Sequence, residues 1–245
     1  MNQELDKHIS VIVPFFNEEN FIEESVLRVV KTNLFKKIIL VNDNSSDKSA
    51  DIAESLCLIH DNIILINLDK QVGKGNAIKI GLDFVSTTHV IIHDADLEYF
   101  PSDIPQMFEI AKRYPKTLIL GSRTIGNKTR KNRYKFTYYG NKYLTYLFCL
   151  LNFYKVTDIA SCYWLIETDQ LKNLQIQEKG FAIEVEVLSK VLKNKIAIIE
   201  VPISYEGRLY SEGKKIRIKD GFFIFFKILQ YSQLFNFFKF RKMNY

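Results

Sequence analysis

The stretch HVIIHDADLEYFP, residues 89–101, joins an apolar run to three acidic side chains. Residues 90–92 are typical of a buried strand, and Asp94, Asp96 and Glu98 follow at every second position. If the backbone stays extended, this spacing points all three carboxylates to one side. Three like charges held together cost free energy unless something positive neutralises them. The stretch therefore predicts either a solvated acidic loop or a site for a divalent metal ion.

Strand and helix patterns alternate through the first hundred residues. Apolar strand candidates lie at residues 9–13, 38–41, 63–66 and 90–92, and helical spacing or turn-and-cap residues separate them. We expect Pro14 to stop the first strand. This alternation indicates βαβ units with right-handed crossovers. The strands are apolar throughout, as expected when helices cover both faces of a mostly parallel sheet. The predicted fold class is therefore α/β.

Polar residues follow three of these strands directly. They lie at residues 14–18, 42–44 and 94–96. In open α/β sheets, ligands bind outside the carboxyl ends of the strands. The acids therefore fall where the topology predicts a site, which favours the metal interpretation over the solvated loop. Carboxylate oxygens at this spacing suit Mg²⁺ or Mn²⁺, which also bind substrate phosphates.

The glycine-containing stretch GKGNAIKIG at residues 73–81 opens a predicted helix. It matches neither the dinucleotide fingerprint nor the P-loop. Backbone amides at a helix start can still approach a phosphate. Two interpretations stay open: Lys74 belongs to a nucleotide site, or it is a solvated side chain in a tight turn.

Composition and charge narrow the class of protein. The chain has 245 residues, 47% of them hydrophobic, and a net charge of +6. This charge fits nucleic acid, a diphosphate substrate or an anionic membrane as partner. The three cysteines show no framework spacing, which indicates reduced thiols and a cytosolic setting. The first ten residues do not form a secretory signal.

The C-terminal stretch FFIFFKILQYSQLFNFFKF, residues 222–240, holds eight of the nineteen phenylalanines. We expect a main domain over residues 1–220 and an aromatic helical tail over residues 221–245. The tail lacks the uninterrupted apolar run of about 18 residues expected of a membrane span. Three alternatives stay open: a helix packed on the domain, an interfacial membrane helix, or a span.

The ordered motifs SVIVPFFNEE, ILVNDNSSDKS, GKGNAIKIG, HDADLEYFP and GSR resemble the inverting glycosyltransferases of family 2. They are most similar to the dolichol-phosphate mannose synthase branch, over about residues 8–220. The resemblance implies a GT-A fold and a hexosyltransferase that depends on Mg²⁺ or Mn²⁺. It also implies a nucleotide-diphosphate sugar as donor, of the GDP-mannose or UDP-glucose type.

The resemblance also assigns residues to roles. The metal and the donor diphosphate map to Asp94 and Asp96, the expected catalytic pair, with Glu98 as a further metal ligand. The nucleotide-binding positions are Pro14, Phe16, Glu18, Asp43, Lys74 and Asp94. For an acceptor phosphate the resemblance implies Arg123 and Arg208, with Lys214 and Lys215 as helpers, and Arg133 is a further expected cation because a phosphate needs positive partners. Asn42 and the segment TDIASCYWLI, residues 157–166, depart from the family pattern and leave the sugar open.

A polyprenyl phosphate acceptor explains the aromatic tail together with these cations. A phosphate monoester is already ionised at neutral pH and needs no general base, whereas a sugar hydroxyl needs one. We expect a peripheral enzyme on the cytoplasmic face of a membrane, with no nucleic acid partner. Two alternatives are transfer to a hydroxyl of a surface glycan and a membrane-bound nucleotide-binding protein without turnover.

Overall fold

A central sheet with helices on both faces forms the structure. The computed structural model describes residues 9–131, 134–209, 215 and 218–235. The strands are β1 (Ile9–Phe15), β2 (Lys37–Asn42), β3 (Ile63–Asn67), β4 (His89–Ile92), β5 (Thr117–Ser122), β6 (Arg130–Lys131), β7 (Trp164–Glu167), β8 (Ala197–Pro202) and β9 (Tyr205–Glu206). The helices are α1 (Ile22–Lys31), α2 (Ser49–Ile59), α3 (Lys74–Asp83), α4 (Ile104–Arg113), α5 (Lys135–Asn152), α6 (Thr168–Asn173), α7 (Ile183–Lys193) and α8 (Ile218–Tyr231).

Within the described residues, seven strands form the main sheet in the order β3-β2-β1-β4-β7-β5-β8. β7 runs antiparallel to β4 and β5, and the other neighbours are parallel. A separate short ladder pairs β6 with β9. The predicted α/β class with a mostly parallel sheet is confirmed. The antiparallel β7 was not predicted, because its apolar run carries no sign of strand direction.

The two sheet faces build two apolar cores. Along β1, Val11 and Val13 pack with α1, α2 and α4, whereas Ile12 packs on the opposite side with α3, α5, α7 and α8. This alternation follows from the two-residue period of a strand. Both sets are apolar because helices cover both faces, as the uniformly apolar strands predicted.

The first strand is longer than expected. Pro14 does not stop β1, which continues to Phe15 and stays paired with β2 through Val41 and Asn42. β4 pairs with β1 only as far as Ile12. Beyond that point β1 has a neighbour on one side alone, and proline is tolerated where a strand has an unpaired side.

α8 packs against α5 and α7. Its Ile228 is fully buried. The expected domain boundary at residue 221 falls inside this helix, and residues 236–240 of the aromatic stretch lie outside the described residues. None of the helices in the described part of the chain is long and apolar enough to cross a membrane.

Candidate active site

The carboxyl ends of three neighbouring strands open onto one cavity of about 400 Å³. The chain leaves β1 toward Glu18, β2 toward Asp43, and β4 toward Asp94 and Asp96, and all four side chains line the cavity. Because β2, β1 and β4 are adjacent and parallel, their carboxyl ends lie at one edge of the sheet. The structure therefore brings together polar residues that are up to 78 positions apart between Glu18 and Asp96.

The acidic stretch after β4 is a turn, so the extended backbone considered from the sequence is wrong. β4 ends at Ile92, and a turn follows at Ala95 and Asp96. Leu97 has a φ of 61°, in the left-handed region. A non-glycine residue in this region breaks the alternation of a strand. The three carboxylates therefore do not alternate along one extended strand, although all three line the cavity.

Each of the three carboxylates accepts hydrogen bonds from neighbouring residues. Asp94 accepts hydrogen bonds from the Lys74 ammonium at 2.8 and 3.0 Å. Asp96 accepts from Arg208 Nη2 at 3.3 Å. Glu98 is buried and accepts from the Tyr205 hydroxyl at 2.7 Å and from the Arg208 backbone N–H at 2.8 Å. Among the described residues, no group of three His, Cys, Asp or Glu side chains is arranged to hold a metal ion, so the expected three-carboxylate cluster is not formed.

The two aspartates differ in electrostatic environment. Burial, together with the charges of Glu98 and Asp94, raises the pKa of Asp96 to about 7. Burial alone would also raise the pKa of Asp94, but the Lys74 ammonium lowers it overall. Negative charge is therefore under-compensated at Asp96, and a cation bound there would favour the ionised form.

Lys74 is the first residue of α3 and lies deep in the cavity. Its ammonium bridges Asp94 and, at 2.9 Å, Glu184 on the first turn of α7. Burial would lower the pKa of Lys74, but these two carboxylates raise it well above its usual value. The solvated-turn interpretation of Lys74 is therefore wrong. Gly75 allows this placement, because a Cβ there would lie 2.4 Å from the Glu178 carbonyl oxygen.

Glu18 joins the donor side of the cavity to residues expected to meet an acceptor. Arg208 Nη1 donates to Glu18 at 2.8 Å, and Lys215 Nζ donates to it at 2.6 Å. Lys215 also donates to the carbonyl oxygen of Phe16. The Arg208 guanidinium lies 4.9 Å from the ring centroid of Phe21. Predicted nucleotide and acceptor residues thus form one cluster.

Asp43 holds the loop that leads into α3. One carboxylate oxygen accepts from the Val72 N–H at 2.6 Å, and the other accepts from the Gly73 N–H at 2.9 Å. Gly73 has a φ of 88°, which a residue with a side chain rarely adopts. Asp43 lines the cavity as well, so one carboxylate both shapes the loop and faces the site.

Arg123 is paired more tightly than the sequence predicted. Its Nε and Nη2 donate to the two carboxylate oxygens of Asp158 at 2.7 Å each, and Nη1 donates to the Tyr99 hydroxyl at 3.2 Å. Burial would lower the pKa of Arg123, but Asp158 raises it overall. The guanidinium also lies 4.8 Å from the ring centroid of Tyr205. Arg130 Nη1 donates to the Arg123 carbonyl oxygen at 2.8 Å and brings a second guanidinium nearby.

The other side of the cavity is mainly apolar. Leu144 on α5, Val185 on α7, Ile224 on α8 and Ile159 line this side. Thr137 and Asn141 of α5 add polar groups to it. We call the part around Asp94 and Asp96 the charged half and this part the apolar half. The cavity can thus hold a molecule with an ionic end and an aliphatic end.

Residues 10–174 match the sequence model of glycosyl transferase family 2. The chain belongs to this family. The family and the GT-A resemblance expected from the sequence are confirmed, and the protein is a glycosyltransferase.

Two characterised relatives match this glycosyltransferase over most of its length. The UDP-N-acetylglucosamine–dolichyl-phosphate N-acetylglucosaminyltransferase of Methanococcus voltae is 29% identical over 91% of this chain and 96% of its own. The dolichol-phosphate mannosyltransferase of Pyrococcus furiosus is 25% identical over 84% of this chain and 58% of its own.

The fold has solved counterparts. Glucosyl-3-phosphoglycerate synthase from Mycobacterium tuberculosis, in complex with Mn²⁺, UDP and glucosyl-3-phosphoglycerate, aligns with a TM-score of 0.67 and 17% identity. The alignment covers 93% of this chain and 80% of the synthase. At this identity the likeness establishes the GT-A fold of the glycosyltransferase.

The charge balance of the cavity fits a divalent cation. The described residues that line it include six carboxylates and four cationic side chains. The carboxylates are Glu18, Asp43, Asp94, Asp96, Glu98 and Glu184, and the cations are Lys74, Arg123, Arg208 and Lys215. Hard oxygen donors with an excess of negative charge suit Mg²⁺ or Mn²⁺.

Two expected site residues are not among the described ones, and one residue of the site was missed. Arg133 and Lys214 lie outside the described residues. Pro14 and Phe16 line the cavity as expected. The sequence does not assign Glu184 to the nucleotide or metal site, because nothing in a sequence pairs it with a lysine 110 positions away.

Proposed function

We propose that this glycosyltransferase moves a sugar from a nucleotide-diphosphate donor to a polyprenyl phosphate, by a single displacement with inversion. The observation that carries the proposal is the two-sided cavity. Its charged half suits a diphosphate and an acceptor phosphate, and its apolar half suits the first part of an isoprenoid chain. A glycan acceptor would not need the apolar wall of Leu144, Ile159 and Ile224.

We place the donor diphosphate in the charged half, where Asp94 and Asp96 would hold Mg²⁺ or Mn²⁺. Such an ion would stabilise the charge that develops on the departing diphosphate. Lys74 supplies a fixed positive charge beside Asp94. Glu98 is left out of the metal set because it is buried and both of its carboxylate oxygens accept hydrogen bonds, whereas Asp94 and Asp96 are partly exposed to the cavity. Glu18, Asp43 and Phe16 surround the nucleotide side.

The acceptor phosphate is placed near Arg208 and Lys215, with Arg123 and Arg130 behind it. An oxygen of the ionised phosphate forms the new bond to the anomeric carbon while the bond from that carbon to the diphosphate breaks. No proton has to leave the nucleophile, since a phosphate monoester loses its second proton with a pKa of about 6. Carboxylates such as Asp158 and Glu184 are therefore not required as bases, and both are engaged with cations.

The relatives support this class of acceptor. The names of the M. voltae and P. furiosus enzymes both specify dolichyl phosphate, but they specify different sugars. We therefore expect the lipid phosphate to be shared and the sugar to vary. We also place the protein at the cytoplasmic face of a membrane as a peripheral enzyme, with residues 221–245 contributing to attachment.

The decisive experiment is a lipid-extraction assay. The enzyme is incubated with Mn²⁺, dolichyl or undecaprenyl phosphate, and one labelled donor at a time from UDP-N-acetylglucosamine, UDP-glucose and GDP-mannose. We expect organic-phase label with one donor, loss of that label in excess chelator, and an inverted anomeric configuration in the product. Label in a soluble oligosaccharide, with none in lipid, would overturn the proposal of a lipid phosphate acceptor. Full activity in excess chelator would overturn the proposed dependence on a metal ion.

A further inference from the structure

α5 exposes a continuous row of large side chains. Phe136, Tyr139, Tyr143, Tyr146 and Leu150 are 70%, 65%, 59%, 67% and 56% exposed. Their spacings of three, four, three and four residues place them on one face of the helix. We call this row the aromatic stripe. Single exposed apolar residues are ordinary, but an aligned row of five marks an interaction surface.

The neighbouring helix has the same character. α8 packs against α5 and exposes Phe222, Phe223 and Phe226, while its Ile228 is buried. The exposed rings of α8 are therefore not needed to attach it to the protein. Two packed helices thus both present aromatic groups to the surroundings.

The charges of α5 identify the chemistry of the partner. The helix contains Lys135 and Lys142 and no acidic residue. Three of the five stripe residues are tyrosines, and tyrosine is enriched where membrane headgroups meet hydrocarbon. Lysines beside such a face are attracted to anionic headgroups. A second copy of this chain would instead bring the same lysines toward each other across a two-fold axis.

We propose that the aromatic stripe of α5, together with the exposed phenylalanines of α8, docks on the surface of an anionic lipid bilayer. This goes beyond the tail predicted from the sequence, because it assigns the main contact to a helix inside the catalytic domain. The inference rests on the proposed function, because a lipid acceptor is what gives the enzyme a reason to dock on a bilayer. Thr137, Asn141 and Leu144 line the cavity from the opposite face of the same helix, so docking would hold the apolar half of the cavity one helix diameter, roughly 10 Å, from the bilayer.

Vesicle flotation of the full chain tests the surface. The probe is phosphatidylcholine vesicles with or without phosphatidylglycerol. We expect binding to the anionic vesicles that weakens as salt rises. The variant Phe136→Ser/Tyr143→Ser/Tyr146→Ser should lower the partition coefficient at least about tenfold, because it removes three large apolar contacts.

A matched control removes equally exposed apolar groups elsewhere. Leu58 and Ile59 on α2 are 88% and 71% exposed, and α2 packs on β2 and β3. Leu58→Ser/Ile59→Ser should float like the wild type. Equal flotation of the stripe variant and the wild type would overturn the proposal. A lipid-free dimer that the stripe variant abolishes, with vesicle binding intact, would also overturn it and identify a protein interface.

Activity in solution separates this inference from the proposed function. A short-chain, water-soluble isoprenyl phosphate needs no bilayer, so the stripe variant should glycosylate it at the wild-type rate. With long-chain acceptor in vesicles, the variant should lose activity in proportion to its lost binding. No transfer by the wild type to either acceptor would reject the proposed function. The flotation experiment would still show whether the aromatic stripe binds the bilayer.

Discussion

The charged half and the apolar half of the cavity are built in opposite ways. In the charged half, the acids that follow β1, β2 and β4 are fixed by partly or fully buried ion pairs such as Arg208–Glu18 and Lys74–Asp94. In the apolar half, side chains of α5, α7 and α8 form most of the wall, and the outer side of α5 is left exposed. Ion pairs and hydrogen bonds among its own side chains thus position the charged half, whereas the packing of helices on the sheet positions the apolar half.

The largest expected effect concerns the buried pair between Arg123 and Asp158. Its side chains are 6% and 3% exposed. Removing one partner of a buried ion pair leaves an uncompensated charge and costs about 3–5 kcal/mol. We therefore expect Arg123→Met to lower the free energy of unfolding by about this amount in urea titrations. Lys131→Met, which removes a surface pair with Glu206, should cost about 0–1 kcal/mol. Similar losses in the two variants would contradict a special role for the buried pair.

The same pair gives a pH dependence. Burial alone would raise the pKa of Asp158, but the Arg123 guanidinium and its hydrogen bonds lower it overall. A carboxylate with a depressed folded pKa contributes stability above its unfolded pKa of about 3.9, and this contribution is lost as pH falls through the folded pKa. The stability difference between the wild type and Asp158→Asn should be full near neutral pH and shrink on acidification below about pH 4. A difference that stays constant with pH would contradict the assignment.

The next effect concerns catalysis in the charged half. Asp96→Asn removes a proposed metal ligand with little change of volume. We expect kcat/KM to fall at least about 100-fold, or about 2.7 kcal/mol of transition-state stabilisation. Isothermal titration with Mn²⁺ and the donor nucleotide should show weaker metal binding. Asp51→Asn on the exposed side of α2 is the control and should keep full activity. An active Asp96→Asn enzyme would remove Asp96 from the mechanism.

The charged half could be located from the sequence, because residues that directly follow neighbouring parallel strands lie at one edge of the sheet. Apolar runs followed by Glu18, Asp43 and Asp94 sufficed to predict three strand ends at one edge. The details failed where tertiary contacts decide them. Glu98 was expected as a third metal ligand. It lines the same cavity as the aspartates, but its carboxylate accepts hydrogen bonds from the Tyr205 hydroxyl and the Arg208 N–H.

The apolar half was harder to predict for a physical reason. The sequence does not predict α5 as an amphipathic helix, because large apolar side chains lie on its exposed face as well as on its buried face. Helix prediction depends on contrast between a polar and an apolar face. The aromatic stripe removes that contrast. Pairings such as Lys74 with Glu184 depend on packing between distant elements and leave no local pattern.

A smaller effect on donor binding should follow from removing the carboxylate that positions the Lys74 ammonium. Glu184→Gln keeps the size of the side chain and removes the charge that holds the ammonium at 2.9 Å. If Glu184 positions Lys74 for the donor diphosphate, the KM for donor should rise about tenfold, as for other groups that orient a ligand-binding side chain, while kcat changes less. Glu109→Gln on the exposed side of α4 provides the control. A loss confined to kcat, with a shifted pH profile, would instead indicate proton transfer by Glu184.

The smallest expected effect tests the apolar half through two faces of one helix. Tyr143 is exposed on α5, whereas Phe148 on the same helix is fully buried. Tyr143→Ser should change the free energy of unfolding by no more than about 0.5 kcal/mol, since substitutions on an open surface rarely do more. Phe148→Ala should cost about 3–5 kcal/mol by leaving a cavity. Chemical denaturation of both variants, without lipid, measures the contrast. If Tyr143→Ser proved as destabilising as Phe148→Ala, the aromatic stripe would be part of the folded core. If Tyr143→Ser is neutral, folding does not explain why aromatic residues occur in the stripe, and binding to a partner has to explain it.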